Sequence, residues 1–175
     1  MSFLPGRDGI IDDLLIVCAL AQGAFVTPEN FSALPYLQHL LQDRSSEALI
    51  ERLLAMAIKT RFLDDQTGLL KEKDRRQILI GKYFEGGVEK DDEICIRLAL
   101  NKLVHHDKIA VRVEEWGAIV VGMRDPQPPG TKLILAGPHK GKRVIVSVEG
   151  AHRGRPWQFD IDLYKLVDEV LRALE

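Results

Sequence analysis

The sequence predicts an α+β fold, with an N-terminal helical bundle, an antiparallel β-meander and a C-terminal helix. Three observations carry this reading. Apolar residues recur at helical spacing in several segments before residue 106, alternate one by one from residue 109, and return to a helical stripe over 163–174. The chain has 175 residues, 46% of them hydrophobic, which suits one compact domain. Residues 1–106 read as a helical half and 107–175 as the sheet with its terminal helix. No linker divides the two, so they can share one core.

The elements follow in order. Asp12 to Gln22 is apolar almost all round, begins with two acids where the helix dipole favours them and is closed by Gly23, which reads as a buried helix. Thr27-Pro28 is a good helix start. Leu34, Leu37, Leu40 and Leu41 continue the helical period past Pro35, where the helix restarts or kinks. From about Ser46 to Asp65 the residues Ile50, Leu53, Leu54, Ala57 and Ile58 fall at i, i+3, i+4, i+7 and i+8, with Gly68 as a stop. A charged stretch, Lys71 to Arg76, precedes Ile78, Leu79 and Ile80 and reads as a solvated helix start or loop. Asp91, Asp92 and Glu93 open a further helix that runs to about His106.

The period then changes. Ile109, Val111 and Val113 alternate with Ala110, Arg112 and Glu114, and further strands are expected at 118–123, 132–136, 143–148 and 157–161. Asp125 to Gly130 is a connector, and Gly137-Pro-His-Lys-Gly141 reads as a hairpin loop. Asp162 is the expected N-cap of a last helix carrying Leu163, Leu166, Val167, Val170, Leu171 and Leu174 on one stripe.

Composition bounds function only loosely. The longest uncharged apolar stretch, Leu14 to Pro28, is interrupted by Gln22, Gly23 and Thr27 and is shorter than the roughly 20 residues of a membrane helix. The first residues lack the basic and apolar regions of a signal peptide, and the two cysteines, Cys18 and Cys95, lie in apolar helical surroundings. A soluble, cytoplasmic protein with no membrane contact is the expectation. The net charge of −2 hides an asymmetry. Residues 1–104 hold 13 basic and 16 acidic side chains, residues 105–155 hold nine basic and five acidic, and residues 156–175 are acidic again. Lys132, Lys140, Lys142, Arg143, Arg153 and Arg155 make the sheet loops a candidate RNA-binding surface through phosphate contacts. The competing reading is ordinary solubilising hairpin residues, because no aromatic side chains interleave with them.

The strongest local signal is Arg97, Asn101 and His105 in Ile-Arg-Leu-Ala-Leu-Asn-Lys-Leu-Val-His-His-Asp. At four-residue spacing each is displaced by about 40° from the last, so the three form one polar stripe on a helix that is apolar on most other sides. The Asn101-Lys-Leu-Val-His105 portion resembles the signature of the HEPN superfamily of nucleotide- and RNA-associated helical domains. In that family Arg-Asn-x-x-x-His-like sequences lie on a late helix of a four-helix bundle. The resemblance covers the helical half, and the position before Asn101, where the family pattern has arginine, is Leu100.

The resemblance implies RNA as partner, a homodimer, a stress or defence setting and, in active members, metal-independent RNA cleavage without a cofactor. His105 would move the proton, Asn101 would position it, and Arg97 or Arg61 would stabilise phosphate charge, with the attacking 2′-hydroxyl supplied by the RNA. Arg61 enters as a polar intruder on the stripe begun at Ile50. Asp64 and Asp65 follow it by three and four residues, so an ion pair is its alternative explanation. The alternatives for the other two are a helix-end histidine at His105 and a buried amide at Asn101. The whole stripe would then be a hydrogen-bond network in a non-enzymatic protein-interaction module. Other chemistry fails on spacing. Gly137-Pro-His-Lys-Gly-Lys-Arg143 is too short for a phosphate loop and no Ser or Thr follows Lys142. The histidines and cysteines show no paired metal-ligand spacing, so no structural zinc is expected.

Overall fold

A computed structural model describes residues 6–22, 35–70, 80–90, 95–116 and 141–175. The fold is α+β. Its order is α1 (Arg7–Ala21), α2 (Pro35–Thr67), β1 (Gly81–Glu85), β2 (Val88–Glu89), α3 (Ile96–Val104), β3 (Lys108–Trp116), β4 (Gly141–His152), β5 (Arg155–Asp162) and α4 (Leu163–Leu174).

In α1, the buried residues Ile10, Asp13, Leu14, Val17 and Ala21 form one helical stripe against α2. The all-round burial expected from its composition is not observed, since Leu15 is 60% and Ile16 38% exposed. The helix has more apolar residues than its one packed face can cover. Asp13, on the buried face, is satisfied by Lys59 at 2.6 Å and Arg52 at 3.5 Å from α2.

The second helix is longer than its strongest periodic segment. Pro35 opens it, where proline's missing N–H costs nothing, and the helix continues without a break through Ser45 and Ser46 to Thr67. Leu49, Leu53, Met56, Ala57, Thr60 and Asp64 form its buried stripe, whereas Ile58 is 56% exposed. The stripe is therefore rotated from the one its aliphatic residues suggest. Gly68, at φ 70, stops the helix, and its N–H donates to the Asp64 carbonyl at 2.7 Å. Among the described residues no helix is long and apolar enough to cross a membrane.

The hairpin β1–β2 has no counterpart in the sequence reading. Its turn is Gly86-Gly87, at φ 59 and 82, the left-handed pair that a tight hairpin needs. The strands are short, and adjacent Tyr83 and Phe84 blur the alternation that marks a half-buried strand. Helix α3 starts at Ile96, after Cys95, whose sulfur accepts from the Leu98 N–H at 3.4 Å. The expected start at Asp91 to Glu93 lies outside the described residues, as do Thr27-Pro28, the charged stretch 71–76, the strands 118–123 and 132–136 and the loops between them.

All pairings in the sheet are antiparallel, in the order β2-β1-β5-β4-β3. The strand from residues 81–85 pairs with β5, so the sheet draws on both sides of residue 106. Register divides its side chains by face. Tyr83, Trp157, Phe159, Ile161, Val144, Val146 and Val148 point into a single buried cluster with α1 to α4. Asp162 caps α4 as expected, accepting from the Lys165 N–H at 3.3 Å, and Leu163, Leu166, Val167, Val170, Ala173 and Leu174 are buried.

One close approach in the core depends on a missing side chain. Gly150 lies opposite Trp157, and a methyl group there would meet the indole at 2.5 Å. The Lys102 ammonium stands 4.1 Å from the centre of the same ring and 5.0 Å from that of Tyr83. Burial pushes the Lys102 pKa down and the charge of Glu85 opposes that shift. The Trp157 ring is thus held between a strand backbone and a cation on α3. Gly150→Ala is expected to destabilise the protein by about 1–3 kcal/mol through overpacking, read as a lower midpoint in urea unfolding.

Candidate functional site

The polar stripe on α3 resolves into two ends. At the first, Asp64 is fully buried on α2, accepts from Arg61 Nη1 at 3.1 Å and pairs with Arg97, whose Nε is 3.0 Å away. Its other oxygen accepts from the Leu70 N–H at 2.8 Å. Asp65 engages the same two arginines at 3.4 and 3.3 Å. The ion-pair explanation of Arg61 is therefore the observed one, with Arg97 joining from the facing helix. One carboxylate holds the end of α2, the turn after it and the start of α3.

At the other end, His105 is the C-cap of α3, exposed, with its backbone N–H on the Asn101 carbonyl at 3.0 Å. Arg97 and His105 are about 12 Å apart along the helix axis. Asn101, half-buried between them, makes no side-chain hydrogen bond to another described residue. His106 is turned inward, its Nδ1 2.7 Å from the Leu103 carbonyl, so that nitrogen carries the proton and donates. The structure thus brings Arg61 and Arg97 together and leaves His105 a helix length from them.

The second candidate surface is the sheet face opposite the helices. Arg143, one of the predicted phosphate-binding residues, is engaged by Glu114 at 2.8 and 3.1 Å. Arg112, which the sequence reading did not single out, donates to Asp160 at 2.9 Å, to Ser147 and to Glu114. Its pKa is raised first by the bond to Asp160. Burial alone would push the Asp160 carboxyl up, but bonds from Arg112, Ser147 and Gln158 outweigh it and hold the pKa below the usual carboxylate range. Glu114 follows the same pattern, with burial opposed and exceeded by Arg143 and Arg112. Arg112, Glu114, Arg143 and Asp160 line a concavity of about 320 Å³ together with Ile145, Lys82 and Lys165.

The β4–β5 turn is different. His152, Arg153 and Arg155 are exposed and pair with no carboxylate among the described residues. Arg153 has φ 50 and Gly154 φ 79, the paired left-handed geometry in which asparagine and glycine are the favoured residues. An arginine in that conformation costs about 1 kcal/mol of backbone strain. Lys142 is half-buried on β4, and Lys132 and Lys140 lie outside the described residues.

Fold and surface together define an α+β protein with one helix-covered and one polar sheet face, the polar face ending in a cationic turn. Compared with known proteins, the chain matches no family model, no curated protein and no solved structure. Among the described residues no group of three or more His, Cys, Asp or Glu side chains is placed to hold a metal ion.

Two outcomes follow. Asp64→Ala leaves the Leu70 backbone N–H without its acceptor and the two arginines with Asp65 alone, and is expected to destabilise the fold by about 1–3 kcal/mol in denaturant titrations. Because the Asp160 pKa is depressed in the folded state, its stabilising effect is present above the unfolded value, about 4, and is lost as pH falls through the folded value. Asp160→Asn is therefore expected to lower stability more at pH 7 than at pH 3, measured as the difference in unfolding midpoint from the wild-type chain.

Proposed function

We propose that the chain is a cytoplasmic RNA-recognising protein, related to HEPN-like domains but not cleaving, whose contact with phosphate is made by the β4–β5 turn. The observation that carries this reading is the turn itself. Arg153 occupies a strained position that asparagine or glycine would fill at lower cost, and it stands exposed beside Arg155 and His152 without a carboxylate partner among the described residues. Guanidinium groups so placed match phosphate oxygens. Recognition is favoured over cleavage because Arg61 and Arg97 are engaged by Asp64 and Asp65 at one end of α3, with His105 at the other. Within one chain no phosphate meets both His105 and either arginine. The stress or defence setting rests on the family resemblance alone.

A second reading, as an assembly module, draws on Ile58 and Phe62, 56% and 42% exposed one helical turn apart on α2.

One experiment separates the readings. The purified chain is mixed with a pool of RNA in EDTA, and binding and cleavage are followed as salt is raised. Salt-sensitive binding without cleavage is expected. Arg153→Asn with Arg155→Gln should weaken that binding, while Arg153→Asn alone should raise thermal stability by relieving the turn. Cleavage that His105→Ala abolishes would overturn the non-cleaving proposal. Absence of binding, with a molecular mass that rises with concentration, would favour assembly.

A further inference from the structure

Sheet register places one row of side chains across all five strands on the polar face. Glu89 pairs with Phe84, Phe84 with Gln158, Gln158 with Glu149 and Glu149 with Lys108. Their neighbours Tyr83, Phe159 and Val148 point into the core, so this row points away from it. Phe84 is half-buried, and around it opens a concavity of about 420 Å³ that includes Gln158, Glu149, Lys108 and Pro156. This concavity adjoins the cationic turn. Gly150, Ala151 and Pro156, which flank that turn, line the concavity, and Arg153 stands at the turn's tip; Arg155, three residues before Gln158, leaves the sheet on the other face. The aromatic side chain absent from the basic stretch in sequence is thus supplied in space by β1.

We propose that this concavity binds one unpaired base of single-stranded RNA, stacked on Phe84, with preference for bases bearing an exocyclic amine. The proposal rests on the RNA-recognition reading above and assigns its base-binding site. Single-stranded RNA is read by stacking splayed bases on aromatic rings and bonding their edges, and sheet faces are common platforms for it. Here the edge-reading groups are acceptors. The Gln158 amide nitrogen donates to Asp160 at 3.1 Å, which leaves its carbonyl oxygen for the concavity. Glu149, half exposed, is 3.9 Å from the Lys108 ammonium and keeps acceptor capacity. Adenine and cytosine offer amino donors to such a pair, whereas uracil offers one N–H flanked by two carbonyl oxygens that the carboxylate repels. Arg153, at the tip of the adjoining turn, then holds the phosphate of an adjoining nucleotide, with Arg155 adding positive charge from the other side of the turn.

The neighbouring concavity is less suited to phosphate. Its guanidinium groups, on Arg112 and Arg143, are engaged by Asp160 and Glu114.

The test measures binding of short labelled oligo(A), oligo(C) and oligo(U) to the full chain by fluorescence anisotropy. Oligo(A) and oligo(C) are expected to bind about tenfold more tightly than oligo(U). Phe84→Leu, which keeps an apolar side chain but removes the ring, should weaken oligo(A) and oligo(C) by about tenfold with an unchanged melting temperature. Glu149→Gln supplies an N–H donor and should narrow the gap to oligo(U). Arg153→Asn with Arg155→Gln should weaken all three to a similar degree. Equal binding of the three, unchanged by Phe84→Leu, overturns the base site and leaves RNA recognition standing. Binding of none overturns RNA recognition and the base site with it.

Discussion

A buried carboxylate organises the helical part of this protein. Asp64 is sealed from solvent on α2, and an ionised group there is tolerated only when its oxygens are satisfied. Two guanidinium groups and a backbone N–H supply that, from α2 itself, from the turn after Gly68 and from α3. The same contacts fix where α2 ends and where α3 lies. Replacing the set by apolar residues would remove this directionality, because a hydrophobic contact accepts many registers whereas two hydrogen bonds and an ion pair accept few. The cost is functional: the arginines that orient α3 are not available to a phosphate beside His105.

The sheet distributes its chemistry by face. Toward the helices it presents aromatic and branched side chains that merge with α1 to α4 in one cluster, and the Lys102 ammonium lies over the rings of Trp157 and Tyr83. The opposite face carries Arg112, Arg143, Asp160 and Glu114 in a paired network, then the row containing Phe84, and ends at the turn that holds Arg153. Among the described residues, charge is graded from neutralised at the start of β4 to without a carboxylate at the turn that follows it. An approaching anion would meet its attraction at the turn.

Several elements were legible because their signals are local. Asp162 caps α4, Gly68 stops α2 and Pro35 begins it, each for a reason contained in one or two residues. The terminal stripe and the alternation in β3, β4 and β5 were legible for the same reason. What failed was anything that depends on a partner. Ile58 belongs to the periodic stripe of α2 yet faces outward, because Asp64 and Thr60 take the buried positions that aliphatic residues would otherwise fill. The β1–β2 hairpin was missed because its strands are short and its aromatic pair faces both sides of the sheet.

For the candidate site, the sequence supplied the residue types and their order but not their company. Arg61, Arg97, Asn101 and His105 were visible as polar intruders on apolar helices, and the excess of basic residues between 105 and 155 was visible by counting. Only the fold decided that Arg61 and Arg97 share one carboxylate, that Arg143 is neutralised by Glu114 while Arg153 and Arg155 meet no carboxylate among the described residues, and that Phe84 stands in a row with Gln158 and Glu149. The reason is physical. Helix and strand periods, caps and turns are set by a few neighbouring residues, and one sequence therefore determines them. The state of a charge is set by what lies within a few ångströms, and here Glu114 is 29 positions from Arg143 and Asp160 is 48 from Arg112 in the chain.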